Sequence, residues 1–246
     1  MRILISLILC SSLYCSGQTA AEIVKKADDK MRGLSSHAII TITTIRPSWS
    51  REMTVETWAK GPELAMIMVR SPARDKGIVY LKRKKEVWNW IPALEKNIKL
   101  PPSMMSQSWM GTDFTNDDLV KESSVVNDYD HNILSDTIIA NRACYLISMI
   151  PKPNAAVVWG KIIVSIDKKD FLELHSRFFD EDGTLVNIMN AYDIKLMDGR
   201  LIPTKFEMIP MDKASHKTIM TYRSIEYNKP LEDRFFSTEK MKTIGN

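Results

Sequence analysis

The hydrophobic positions of this chain change period once. Thr19-Ala-Ala-Glu22 has the spacing of a capping box, and Ile23, Val24, Ala27 and Met31 then recur on one helical face until Gly33. That pattern predicts a single amphipathic helix. From there the period is two. In AIITITTI (38–45) Ala38, Ile40 and Ile42 share one face, and in MTVETWAK (53–60) Met53, Val55, Thr57 and Ala59 do the same. β-Branched residues favour extended chain, so the two segments are expected to pair as a hairpin around RPSWS (46–50). LAMIMV (64–69) is apolar on both faces, which predicts a central strand or one whose second side is covered. GIVYLK and EVWNWI predict a further hairpin that turns at a run of cations.

Strand character weakens between 120 and 142, in YDHNIL and TIIANR, and then resumes. CYLISMI (144–150), KIIVSI (161–166), FLELHSRFF (171–179), TLVNIMNAYDIKLM (184–197), LIPTKFEMI (201–209) and KTIMTYRSIEY (217–227) follow one another. DKKD, DEDG, MDGR and MDKAS supply the reversals between them. LEDRFFSTEKMK predicts a short closing helix or a strand edge. About ten sequential strands behind one long helix predict a mainly β fold, one antiparallel sheet strongly curved into a full or partial barrel. With no linker and no internal repeat, residues 18–246 are expected to form one domain. One stretch breaks the pattern: SMMSQSWMGTDFTNDDL (103–119) sets three methionines, a tryptophan and a phenylalanine among serines and aspartates, without strand alternation.

Composition adds a compartment. MRILISLILCSSLYCSG carries one cation at Arg2, an apolar run to about Tyr14 and small residues before Gln18. This predicts a cleavable secretory signal peptide over residues 1–17, too short to span a membrane, and an exported product. Tyr14, not a small residue, precedes Cys15, which argues against lipid attachment there. Loss of the leader takes Cys10 and Cys15 with it and leaves Cys144 without a disulfide partner, so stability must come from burial. The net charge of +4 is too mild to argue for nucleic acid. Its cations cluster at Lys82, Arg83, Lys84 and Lys85, either as a solvated hairpin tip or as a patch for anionic headgroups or an acidic partner.

Candidate chemistry is sparse. His37, His131, His175 and His216 are dispersed, none at metal-ligand spacing with another ligand. Cys144 lies in an apolar strand, where a buried inert thiol is the ordinary outcome. Nine glycines provide neither a phosphate-cradling loop nor a dinucleotide fingerprint, and there is no G-x-S-x-G. DEDG alone lacks the ligand count of a calcium site. Asp117 and Asp118 are adjacent, so on a helix they diverge by about 100° and make a poor acid–base pair. The expectation is a protein without catalysis, metal or cofactor.

AAEIVKKADDKMRG, the W-x-K-G-P of residues 58–62 and above all WMGTDFTNDDL (109–119) resemble the bacterial outer-membrane lipoprotein-sorting proteins, similar in fold to the periplasmic carrier LolA and the outer-membrane receptor LolB. The resemblance covers nearly all of residues 18–246. It implies an open half-barrel of about eleven strands, with short lid helices over an apolar concave face that receives acyl chains. It also implies a lid-tying arginine, and neither Arg46 nor Arg51 is fixed as that residue by a matching motif. The chain is longer than those carriers, mainly around 120–160, which leaves the cargo open between lipoproteins and other lipids.

On this reading Met104, Met105, Trp109, Met110 and Phe114 form an adaptable lid, methionine being suited to a changing apolar fit. Pro101-Pro102 would stiffen one end and Gly111 permit a bend at the other. The same residues could equally be a helix packed permanently over one mouth of the barrel. Met53, Val55, Met66, Met68, Trp88 and Trp90 are the candidate cavity lining, or else plain core. Trp49, in the RPSWS turn, is a candidate for contact with a membrane interface or a partner. The expected function is a monomeric periplasmic carrier of lipoprotein acyl chains or free lipid, passing cargo from an inner-membrane exporter to an outer-membrane acceptor. The alternatives are an accessory protein-binding subunit of an envelope export complex and a lipid-modifying enzyme.

Overall fold

The structure is a computed structural model that describes residues 18–121 and 125–245; the signal peptide assigned to residues 1–17 lies outside them. Helix α1 (Ala20–Arg32) begins as its capping box dictates: the Glu22 amide donates to the Thr19 hydroxyl at 3.3 Å and the Thr19 amide to the Glu22 carboxylate at 2.9 Å. It stops at Gly33, whose φ of 66° suits a residue without a side chain. Ala20, Ile23, Val24 and Ala27 are its buried stripe.

Among the described residues, thirteen strands follow. The first six are β1 (Ser35–Arg46), β2 (Trp49–Lys60), β3 (Leu64–Ser71), β4 (Val79–Arg83), β5 (Glu86–Ile91) and β6 (Lys96–Lys99). After residues 100–128 come β7 (Tyr129–Ile139), β8 (Arg142–Pro151), β9 (Lys161–Asp167), β10 (Glu173–Phe179), β11 (Leu185–Met197), β12 (Arg200–Pro210) and β13 (Lys217–Tyr227). Helix α2 (Thr238–Gly245) closes the chain. The strands form one curled, unclosed antiparallel sheet in the order β6-β5-β4-β3-β2-β1-β13-β12-β11-β10-β9-β8-β7. It is therefore two meanders joined where β1 pairs with β13, Ile42 opposite Met220 and Ile40 opposite Tyr222.

The expectation of about eleven strands is corrected upward. β6 is KNIK, four residues too short and too polar to announce themselves. The weak segments near 130 are one strand, β7, whose register against β8 shifts between Ile133 and Ser135. That irregularity interrupts the alternation by which a strand is read.

Topology also explains the segment that broke the pattern. β6 and β7 lie at opposite edges of the sheet, so residues 100–128 have to cross from one edge to the other. Residues 100–121 run over the inner face, beside α1. Beneath them, Ile40, Ile42, Met53, Val55, Ile67, Val69, Tyr80 and Val87 form one buried cluster with Met105 and Trp109. Farther along, α1 and Phe114 pack on Ile147, Met149, Ile162, Val164, Ile166 and Phe178. A third cluster occupies the outer face: Met66, Val79, Leu81 and Trp90 under Phe236 and Met241 of the C-terminal segment. The apolar β3 is thus covered on both sides. α2 seats closely there, since a side chain on Gly77 would come within 2.1 Å of the Gly245 carbonyl oxygen.

Candidate ligand-binding hollow

The crossing segment is a compact knot. Pro101 and Pro102 lead into a 3-10 turn at Pro102–Met104, and a second such turn spans Trp109–Gly111. The Trp109 amide donates to the Phe114 carbonyl at 2.8 Å, the Asn116 amide to Gln107 at 2.9 Å and the Asp117 amide to Met105 at 3.0 Å. Thr115 and Asp118 cap each other, backbone amide to side chain, at 2.8 and 3.1 Å. At the bend both Met110 (φ 49°) and Gly111 (φ 78°) are left-handed, and their carbonyls bond outside the segment. Two arginines from the β1–β2 hairpin meet them. Arg46 Nη2 donates to the Gly111 carbonyl at 3.0 Å, and Arg51 Nη2 donates to that of Met110.

Asp113 is the central tie. Its carboxylate accepts from Arg46 Nη1 at 2.9 Å and from the Thr218 hydroxyl at 2.7 Å, while its amide donates to the same hydroxyl at 2.9 Å. The Arg46 and Asp113 side chains are only 10% and 5% exposed, so the pair is a buried one and its separation would be costly. Neither arginine stood in a recognisable motif, yet both hold this segment to the sheet.

Beneath the segment lie two adjoining cavities of about 180 and 260 Å³. Each exceeds the roughly 150 Å³ apolar cavity that admits benzene in an engineered protein. Ile40, Ile42, Val55, Ile67 and Trp109 line the first; Phe114, Trp159, Val164, Phe178 and Met208 line the second. Met31, Leu119, Met220 and Tyr222 border both.

The sequence candidates divide. Met53, Val55, Met105, Trp109 and Phe114 are buried in the inner clusters, with Met104 and Met110 partly buried against them. Met66, Met68, Trp88 and Trp90 instead belong to the outer cluster under the C-terminal segment, and of these only Met66 also borders the first cavity. Strand period is the reason for this placement: Ile67 and Val69 pack in the inner cluster, so Met66 and Met68 pack in the outer one. The basic run is not one patch either. Lys82 is buried, Arg83 donates to the Phe236 carbonyl at 3.0 Å, and Lys84 and Lys85 form the exposed turn. Trp49 stands half exposed at the β1–β2 hairpin with Arg46 5.8 Å above its ring.

Charged groups in the hollow were not foreseen. Asp28 and Arg32, one turn apart on α1, form a bridge of 2.9 Å and border both cavities, as does Asp118. Asp118 accepts from Trp159 Nε1 at 2.9 Å, and burial pushes its carboxyl above the usual range against that hydrogen bond and those from Thr115. Glu173 borders the second cavity and accepts from the Ser176 hydroxyl. Burial raises its carboxyl too, Ser176 opposing and Asp28 adding to the shift. Among the described residues no three acidic, histidine or cysteine side chains are grouped to hold a metal ion.

Residues 61–243 match a family model whose description reads "Uncharacterized protein". A sequence search of the curated proteins finds no match. Among solved structures, a LolA superfamily protein from Nitrosomonas europaea is 20% identical with a TM-score of 0.80, covering 91% of this chain and 100% of that one. A domain described as an outer membrane lipoprotein-sorting protein from Vibrio parahaemolyticus is 18% identical, TM-score 0.81, covering 91% and 98%. A DUF1329 family protein from Desulfovibrio piger is 18% identical, TM-score 0.81, covering 90% and 97%. The chain therefore belongs to the family that the model over residues 61–243 defines, and its curled, unclosed sheet has the fold of LolA superfamily and outer-membrane lipoprotein-sorting proteins.

Proposed function

We propose that this protein is a periplasmic carrier that takes acyl chains, of a lipoprotein or a free lipid, into the inner hollow and passes them toward the outer membrane. The observation that carries the reading is the hollow itself: two adjoining cavities of about 180 and 260 Å³ lined mostly by apolar side chains, roofed by a crossover segment that two arginines tie down. A carrier needs room for hydrocarbon, a cover that keeps water out, and no chemical step.

Residues 100–119 suit the cover. Burial of Met105, Trp109 and Phe114 contributes roughly 1.5–3 kcal/mol each, which an incoming alkyl chain can replace when the cover lifts. The closed cover also leaves Trp109 Nε1 and Arg51 Nε buried without a hydrogen-bond partner among the described residues. Each such donor costs about 1–3 kcal/mol, so opening recovers part of the loss. Transient contact with a membrane surface, through Trp49 beside the arginine clamp, belongs to the same reading.

The test is protein isolated from its own periplasm and sprayed under native conditions, alongside titration of the purified protein with a fluorescent fatty acid and an acylated peptide. A bound lipid or acylated species, competed by unlabelled acyl ligand, is the expected result. A folded protein that binds no acyl ligand in either measurement would end the carrier reading.

A further inference from the structure

Resting on the carrier reading, the polar lining of the hollow narrows the class of cargo. A cavity meant only for hydrocarbon has no use for carboxyl groups, because removing an ionised carboxylate from water costs several kcal/mol unless it is paired. Yet Asp28, Asp117, Asp118 and Glu173 border the second cavity, with Arg32 as the one cation among its described lining residues, and Arg32 is bridged to Asp28. Asp118 is compensated by the Trp159 indole and by Thr115. Glu173, half-buried, is not compensated to the same degree: the Ser176 hydroxyl serves Oε1, and among the described residues no donor reaches Oε2.

The backbone aims Glu173 there. β9 and β10 pair Ile166 with Glu173 and then Ser165 with His175, so Leu174 is an extra residue. Ile166 belongs to the inner cluster. Without the bulge, Glu173 would share the outer face with His175 and Arg177; with it, the carboxyl faces the hollow while Leu174 packs with Cys144 and Leu172 elsewhere. A bulge that re-aims one side chain beside a cavity is a recognised device for placing a functional group.

We infer that the hollow takes a long-chain amphiphile whose polar head is a hydrogen-bond donor of positive charge, an ammonium, seated against Glu173 and Asp118 with its chain along the apolar wall. An ammonium brings three donors and a compensating charge to carboxylates that retain free lone pairs. A carboxylate or phosphate head brings a like charge into the same enclosure and is disfavoured there.

The experiment uses the purified chain and a neutral hydrophobic fluorophore, N-phenyl-1-naphthylamine, displaced at pH 7 by dodecylamine, dodecanol and dodecanoate, all below micelle formation. The amine is expected to displace at a concentration at least about tenfold lower than dodecanoate, with the alcohol between them. In Glu173→Gln the advantage of the amine over the alcohol should shrink while the alcohol is unchanged. Dodecanoate competing as well as the amine overturns the head-group assignment alone and leaves the carrier intact. An unchanged amine advantage in Glu173→Gln overturns the role of Glu173. Failure of all three to displace the fluorophore overturns the carrier reading and this inference with it. The three-head comparison on the unaltered chain decides the ligand class even if the variant does not fold.

Discussion

Replacing Arg46 with alanine separates a cover that opens from one that is permanent core. The change removes Nη1 from Asp113 (2.9 Å) and Nη2 from the Gly111 carbonyl (3.0 Å). It leaves a carboxylate whose side chain is 5% exposed with the Thr218 hydroxyl as its remaining side-chain donor among the described residues. Deleting one partner of a buried ion pair costs about 3–5 kcal/mol. Neither the β8–β9 ladder nor the packing of α1 on the far half of the sheet runs through Arg46. If residues 105–117 open as their own unit, the whole cost falls on that opening. At about 1.4 kcal/mol per tenfold, native-state hydrogen exchange of the Trp109 and Asn116 amides, bonded to Phe114 and Gln107, should then accelerate by roughly two to three and a half orders of magnitude. The β8–β9 amides should stay within a few-fold of the parent protein. Pairing Arg46→Ala with Asp113→Ala in a double-mutant cycle isolates their coupling. Lid and β8–β9 amides accelerating together, or lid amides that do not respond, would refute a separately opening cover.

Trp109→Ala, which empties a fully buried site at the wall of the first cavity, should lower stability by about 3–5 kcal/mol in urea unfolding while admitting a bulkier fluorescent ligand. An unchanged ligand size limit would remove Trp109 from the wall. Met241→Ala should cost about 2–5 kcal/mol and leave ligand affinity alone, because Met241 packs on the outer face; an altered affinity would mean that the two faces are coupled. Burial holds the Glu173 carboxyl above its ordinary value of 4.5, so the folded state binds this proton more tightly than the unfolded chain. The resulting penalty is absent below about pH 4.5 and grows as pH rises through that value toward the folded-state pKa. The urea midpoint of the parent protein should therefore fall relative to Glu173→Gln as pH rises from 4 to 8, and parallel curves would contradict the burial argument. Trp49→Ser, at a half-exposed position beneath Arg46, should cost no more than about 1 kcal/mol yet reduce cosedimentation with lipid vesicles; undiminished cosedimentation would remove Trp49 from any membrane contact.

Local interactions were legible in the sequence because they are made between neighbours along the chain. The capping box of α1 and its stripe, the β1–β2 hairpin, the turn at Lys84-Lys85 and the order of the C-terminal meander all follow from spacing and period. Methionine and tryptophan in an irregular stretch likewise marked residues 103–119 as unlike a surface loop. What they lie upon depended on contacts between distant parts of the chain. That β6 and β7 occupy opposite edges, so that their connection has to cross the inner face, follows from the pairing of the first strand with the last. Which of two apolar faces on β3 looks inward was likewise undecidable while both read as hydrophobic, and Met66, Met68, Trp88 and Trp90 went to the other side. Glu173 is the sharpest case. Alternation in FLELHSRFF turns it outward with His175 and Arg177, and a single extra residue in the β9–β10 pairing turns it in. Register is a property of two strands together, so one strand's sequence could not contain it.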